Sequence, residues 1–96
     1  MEINKLLRDK RADILRIAAS HGATEVRIFG SAARGEMRHN SDIDVIVKLA
    51  PDHGLLDLVA IKQDLEDLLG SKVDVVTEAA ISPYIREKVL KEAVNL

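Results

Sequence analysis

The chain has 96 residues, of which 47% are hydrophobic and 31% charged, with a net charge of −2 and no cysteine. This composition is typical of a folded globular protein and excludes a disordered chain, a disulfide scaffold and a thiolate metal site. The sequence shows no basic stripe for nucleic acid, no apolar run that could span a bilayer and no signal peptide. We therefore expect one domain over residues 1–96, in the cytoplasm, without direct contact to nucleic acid or membrane.

The first half of the chain predicts a helix, a strand and a loop, in that order. Asn4 can cap a helix that runs to about Ser20, and Gly22 can end it. The alternation of polar and apolar residues over 25–29 predicts a strand. Residues 30–41 are mostly small or polar and predict a loop with room for one helical turn. The apolar side of the helix consists of Ile3, Leu6, Leu7, Ile14, Leu15 and Ala18.

The second half predicts two strands that alternate with two helices. Residues 42–49 predict a strand, 55–69 a helix that Gly70 can end, and 72–77 another strand. Ser82 can cap a last helix, which is expected to reach the end of the chain. These elements predict an α/β (α+β two-layer) fold, with a small mixed sheet of three or more strands and helices packed on one side. The apolar stripe of the last helix consists of Ile85, Val89, Ala93 and Leu96.

Two carboxylates occur at the start of the second predicted strand. Asp42 and Asp44 are two residues apart, so their side chains point to one face, about 7 Å apart along the chain. Their repulsion would be removed by a divalent cation, and hard carboxylate oxygens suit magnesium. The alternative is a pair of solvated aspartates at a strand end.

A third carboxylate, Asp74, lies between Val73 and Val75 in the last predicted strand. A charged group in an otherwise apolar strand needs a partner. If this strand lies beside the second, the three carboxylates share a face and can hold two metal ions about 3.5–4 Å apart, as in in-line phosphoryl displacement. The alternatives are an aspartate on a wet sheet face, or one paired with Lys72 or Arg86.

The loop after the first strand carries a pattern that suits phosphate binding. Gly30 lets a phosphate approach the backbone closely, Ser31 adds a hydroxyl donor, and Arg34 can reach a phosphate oxygen. The alternative is a tight turn with a capping serine, in which Arg34 pairs with Glu36 at the surface.

These residues together resemble a known signature. Gly30-Ser31, ten intervening residues and Asp42-Ile43-Asp44 resemble the Gly-Ser-x(10)-Asp-x-Asp motif of the DNA polymerase beta-like nucleotidyltransferase superfamily. The stretches GSAARGE, SDIDVIV and KVDVVTE resemble its minimal members, the MNT-domain proteins. The resemblance implies the nucleotidyltransferase fold and a single minimal domain.

The resemblance also implies a role for each motif residue. Gly30 and Ser31 would hold the β- and γ-phosphates of ATP, Asp42 and Asp44 would ligate two magnesium ions, and Asp74 would ligate the catalytic ion and help to deprotonate the attacking hydroxyl. Larger relatives carry a helical domain that grips the acceptor, and we expect this chain to lack it. The acceptor is therefore expected on another protein or on a second copy, within a homodimer or hetero-oligomer.

Minimal members of this kind are usually antitoxins that pair with a HEPN-domain toxin. The resemblance therefore implies a magnesium-dependent protein adenylyltransferase, which moves AMP from ATP onto a tyrosine of the toxin. The first alternative is a non-catalytic binding module that masks its partner and uses nucleotide only structurally. The second is a nucleotidyltransferase for RNA or a small molecule, which the missing acceptor domain and basic patch disfavour.

Overall fold

The structure, a computed structural model, describes residues 5–30 and 43–96. Within them the helices are α1 (Lys5–Asp9), α2 (Arg11–Ser20), α3 (Leu55–Leu69) and α4 (Pro83–Glu92). The strands are β1 (Ala23–Phe29), β2 (Ile43–Leu49), β3 (Val73–Thr77) and β4 (Val94–Asn95), and one turn of 3-10 helix covers Glu78–Ala80. No helix in these two ranges is both long and apolar enough to cross a membrane.

The four strands form one mixed sheet in the order β3-β2-β1-β4. β1 pairs antiparallel with β2 and with β4, whereas β2 and β3 are parallel. The parallel pair is joined by α3, because parallel neighbours need a crossover connection. The predicted mixed sheet of three or more strands is confirmed, and β3 lies directly beside β2.

The core lies between one face of this sheet and helices α1 to α3. Alternate residues of each strand point into it, so the predicted apolar face of β2 (Ile43, Val45, Val47 and Leu49) is confirmed. Each fully buried aliphatic side chain contributes about 1.5–3 kcal/mol by leaving water. The helices contribute Leu7, Ile14, Ala18, Ile61, Leu65 and Leu69 to this core.

The other face of the sheet points away from the core and is called here the outer face. Cross-strand partners have side chains on the same face, so the pairing registers place these residues together. The outer face carries Glu25, Arg27, Phe29, Asp44, Ile46, Lys48 and Asp74.

The predicted first helix is interrupted once. Lys10 has φ −99° and ψ 8°, outside the helical region, and separates α1 from α2. Backbone hydrogen bonds still join the two helices, from Lys10 N–H to the Leu6 carbonyl and from Ile14 N–H to the Lys10 carbonyl. The prediction of one continuous helix was wrong, while its apolar side is retained. The predicted cap at Asn4 lies outside the described residues.

The prediction that the last helix reaches the end of the chain was wrong. α4 ends at Glu92, Ala93 is extended (φ −66°, ψ 140°), and the next two residues form β4 against β1. Leu96 N–H also donates to the Val26 carbonyl at 3.1 Å. Unpaired backbone groups on the edge of β1 are satisfied in this way, and that gain outweighs continuation of the helix.

The structure tests two predicted helix boundaries, the end of α3 at Gly70 and the start of α4 at Ser82. Gly70 adopts φ +67° after α3, so the predicted stop is confirmed. Ser82 precedes α4 as predicted, but its side chain makes no capping hydrogen bond. Its carbonyl instead accepts the N–H groups of Ile85 and Arg86, and Pro83 occupies the first turn.

Candidate active site

The pairing of β2 with β3 brings two predicted carboxylates together. Asp44 and Asp74 are direct partners in the parallel register, on strands that lie about 4.8 Å apart. Phe29, the last residue of β1, is the partner of Asp44 on its other side. The sequence predicts a shared site only if the strand of Asp74 lies beside the strand of the Asp-x-Asp motif. The structure places these strands side by side and pairs Asp74 with Asp44.

The two carboxylates differ in their surroundings. Asp44 is half-buried, whereas Asp74 is exposed. In the described part of the chain the Asp74 carboxylate makes no hydrogen bond or ion pair. The Arg86 guanidinium, one alternative partner, instead donates to the carbonyls of Ala79 (3.3 Å) and Ile81 (2.9 Å). The Asp74 carboxylate is therefore accessible from the solvent side.

Gly30 lies directly against Asp44, the inner member of this pair. It has φ +72°, a conformation that residues with a side chain rarely adopt. A Cβ atom at this position would also come within 2.5 Å of Oδ2 of Asp44. Glycine is thus required both by the turn out of β1 and by the close approach of Asp44. A backbone without a side chain at this position allows a ligand to approach it closely.

Not every predicted site residue can be placed. Ser31, Arg34 and Asp42 lie outside the described residues, whereas Gly30, Asp44 and Asp74 lie within them. Among the described residues no third aspartate, glutamate or histidine joins the pair to form a cluster that could hold a metal ion. A three-carboxylate site therefore requires Asp42.

The donor set that the structure does place fits magnesium. Asp44 and Asp74 supply hard oxygen ligands from adjacent strands, and like charges directly opposite each other in a sheet are destabilising on their own. Magnesium is usually held by one or two carboxylates, with water and phosphate oxygens completing its coordination. These residues can hold such an ion together with a nucleotide phosphate.

The start of β3 is fixed by a side chain of α3. The Glu66 carboxylate accepts the Val73 N–H at 3.0 Å and the Lys62 ammonium at 2.7 Å. The hydrogen bond from Lys62 first, and then that from Val73, hold the pKa of Glu66 below its usual range. The sequence indicates the Lys62–Glu66 pair by its spacing, but the contact with Val73, which fixes the strand of Asp74, carries no local sequence signal.

A cleft of about 590 Å³ opens near the ends of β2 and β3, away from the carboxylates, and Gly30, Asp44 and Asp74 do not line it. Its walls include Arg27, Lys48 and Thr77, with Leu55 and Leu58 of α3 on another side. The Arg27 guanidinium donates through Nε (3.0 Å) and an η nitrogen (2.7 Å) to one oxygen of Glu25. Sequence reasoning missed this cleft; the alternating polar positions of β1 were the available signal.

Comparison with known families identifies the family of this chain. The family model that describes the nucleotidyltransferase domain matches residues 9–96. The chain belongs to the nucleotidyltransferase-domain family. This nucleotidyltransferase is 42% identical over 96 residues to a Methanocaldococcus jannaschii protein whose name describes a protein adenylyltransferase, covering 100% of this chain and 99% of the relative. It is also 37% identical to the protein adenylyltransferase MntA of Thermococcus cleftensis over 73 residues, 76% of this chain and 74% of MntA.

Solved structures agree with this family. A structure described as a minimal nucleotidyltransferase superposes with a TM-score of 0.87 at 45% identity, covering 99% of this chain and 97% of that one. A variant of the toxin–antitoxin pair MntA–HpeT gives a TM-score of 0.71 at 25% identity, over 99% of this chain and 72% of that one. The MNT antitoxin complex with a tri-AMPylated HEPN toxin of Shewanella oneidensis, at 20% identity and TM-score 0.69 (92% and 69% covered), shares the fold. The predicted nucleotidyltransferase fold is confirmed.

Proposed function

We propose that this nucleotidyltransferase transfers AMP from ATP to a hydroxyl group of a partner protein, a tyrosine of a HEPN-domain toxin, for which it acts as the antitoxin. The observation that carries this proposal is the side-by-side placement of Asp44 and Asp74, with Gly30 next to Asp44. The adenylyltransferase names of its relatives and the toxin–antitoxin pair among structures of its fold support the same reaction and partner class.

The proposed roles follow the positions of the residues. Gly30, Ser31 and Arg34 bind the phosphates of ATP, and Asp42, Asp44 and Asp74 hold magnesium and carry the chemistry. Magnesium, when bound, supplies positive charge that stabilises the attacking and leaving oxygens of an in-line displacement. The family resemblance gives Ser31, Arg34 and Asp42 these roles, whereas Gly30, Asp44 and Asp74 also have the geometry described above.

The reaction needs a base at the acceptor and room for the acceptor to arrive. The hydroxyl oxygen forms a bond to the α-phosphorus, the bond from that phosphorus to the β-phosphate oxygen breaks, and pyrophosphate leaves. Asp74 accepts the hydroxyl proton, because its carboxylate is exposed and makes no hydrogen bond or ion pair within the described residues. Positioning and electrostatic stabilisation supply most of the catalysis in phosphoryl transfer.

A protein partner is supported by apolar side chains at the surface. Leu56, at the start of α3, is 84% exposed, and Tyr84, at the start of α4, is 97% exposed. Leu55 and Val59 lie beside Leu56 on the same helix and are also exposed. Neighbouring exposed apolar side chains are typical of protein-interaction surfaces. We also propose that residues 1–96 act as one minimal domain in the cytoplasm.

The test uses ATP labelled at the α-phosphate, magnesium, this protein and the protein encoded beside it in its genome. We expect label on the partner, and loss of that label in the double variant Asp42→Asn/Asp44→Asn. The matched control is Asp67→Asn, which makes the same change on the exposed surface of α3. Label retained by the double variant would refute the catalytic role. A stable complex without label would favour the alternative, a binding module that masks its partner.

A further inference from the structure

We infer that the acceptor polypeptide binds as an additional strand on the free edge of β3, which places its hydroxyl-bearing residue beside Asp74. This inference rests on the proposed function and adds how the acceptor is recognised: through its backbone, in an extended conformation. The occupant is a segment of the partner protein that carries a serine, threonine or tyrosine.

The edge of β3 is available for pairing. In the described part of the chain β3 is the outermost strand of the sheet, with β2 on one side only. The hydrogen bond from Ile43 N–H to the Lys72 carbonyl (2.9 Å) shows which backbone groups of β3 are directed toward β2. In a parallel ladder the groups of Lys72, Asp74 and Val76 then point to β2, and those of the residues between them point outward.

The outward groups form a short and defined recognition edge. The Val73 N–H is already taken by Glu66. The Val73 carbonyl, the N–H and carbonyl of Val75, and the Thr77 N–H remain, and no described group pairs with them. Such a row of free donors and acceptors is what an added strand satisfies. Glu66 therefore limits pairing to the stretch beside Asp74 and beyond it.

The direction of the reaction places the acceptor on this side. An in-line displacement needs the attacking hydroxyl and the leaving pyrophosphate on opposite sides of the phosphorus. Gly30 follows β1, Asp44 lies on β2 and Asp74 on β3, so the three follow one another across the sheet. With the β- and γ-phosphates on the Gly30 side, the hydroxyl arrives from the β3 side, where the sheet ends.

The side-chain geometry of an added strand suits the chemistry. A residue paired with Asp74 points to the same outer face, with its Cβ atom about 4.5–5.5 Å from that of Asp74, and diagonal neighbours stay within reach of long side chains. A hydroxyl on such a residue lies next to a carboxylate that makes no hydrogen bond or ion pair within the described residues. The strand therefore delivers the proton donor to the proposed base.

A second copy of the chain suits this edge less well. Two β3 strands paired antiparallel about Val75 would bring both Asp74 carboxylates onto one face, about 7–8 Å apart as diagonal neighbours. Two negative charges on one face of a new strand pair disfavour that pairing. A partner strand with a hydroxyl side chain opposite Asp74 replaces this repulsion by a hydrogen bond.

The first test is amide hydrogen exchange of the full chain, alone and mixed with the protein encoded beside it. We expect the amides of Val75 and Thr77 to exchange about tenfold more slowly in the complex, as one hydrogen bond of ordinary strength predicts. The Val76 amide already bonds to β2 and serves as the internal control. Unchanged Val75 and Thr77 amides in the complex, or no complex at all, would overturn the inference. If these amides become protected in the free chain as its concentration rises, the edge pairs with a second copy of the chain. That result would also overturn the inference.

The second test removes one outward donor. Thr77 has φ −90°, close to the range of proline, so Thr77→Pro deletes an outward N–H while the bonds to β2 remain. We expect the complex to weaken by about tenfold while ATP binding persists, and Thr77→Val, which keeps the N–H, to retain the complex. Equal binding by the two variants would contradict the inference. Slow exchange at Val75 and Thr77 without AMP transfer by the wild type would sustain the docking mode and refute the proposed function instead.

Discussion

Replacing Gly30 with alanine tests whether this residue serves the fold, the site or both. The residue has φ +72°, and a left-handed conformation costs a residue with a side chain about 1–2 kcal/mol. Alanine also lowers the conformational entropy of the unfolded chain, which offsets about 0.4–1 kcal/mol of this cost. We therefore expect a net loss of at most roughly 1.6 kcal/mol, or a fall in Tm of at most roughly 13 °C for a chain of this size.

The effect on activity should be larger than this loss of stability. The new Cβ would lie 2.5 Å from Oδ2 of Asp44, and ordinary contact begins at 3.4 Å, so the carboxylate must move by about 0.9 Å. Only the end of the side chain has to shift, so little of the strain reaches the fold. A displacement of this size at a reacting centre costs about 10²-fold in rate.

The matched control is Gly70→Ala. Gly70 has nearly the same φ, +67°, but an added Cβ there meets no atom within 4 Å. Thermal unfolding and AMP transfer, measured on both variants, separate backbone strain from displacement of Asp44. Both variants should lose similar stability, and only Gly30→Ala should lose transfer. If Gly30→Ala transfers AMP as well as Gly70→Ala, the assignment of Gly30 to the site is refuted.

Three further predictions concern the metal, the anchor of β3 and the core. Chelation with EDTA should abolish AMP transfer and added magnesium should restore it; activity that survives chelation would exclude the metal-binding role of Asp44 and Asp74. The pKa of Glu66 is lowered on folding, so its contribution to stability is complete above its unfolded value of about 4.5 and is lost as the pH falls through the folded value. Glu66→Gln should therefore weaken the fall in Tm between neutral and acid pH, and an identical pH profile would count against the Val73 contact. Ile61 is 0% exposed, so Ile61→Ala should cost about 2–5 kcal/mol in urea unfolding, and a smaller loss would show that the core around α3 repacks.

Local patterns in the sequence predict much of this fold. The alternation in β1 and β2 and the spacing of leucines in α3 correctly place these elements, because each buries one face against the same core. The glycines mark real turns, since Gly30 and Gly70 both adopt positive φ. The Gly-Ser and Asp-x-Asp motifs also predict the family correctly.

Features that depend on distant contacts could not be predicted in this way. β4 exists because the edge of β1 offers it backbone partners, and residues 93–96 contain no glycine or proline that would end a helix. The partner of the Val73 N–H is a glutamate seven residues away on another element. The meeting of Asp74 with Asp44 depends on strand order, which periodicity does not contain.

The central claim is that Asp44 and Asp74 act together at one site, and a double-mutant cycle tests it most directly. AMP transfer to the partner would be measured for the wild type, Asp44→Asn, Asp74→Asn and the double variant. Groups that act as a unit are strongly non-additive, so the double variant should transfer no more slowly than the worse single variant. Losses that multiply across the two positions would mean that the carboxylates act independently, and would contradict the account.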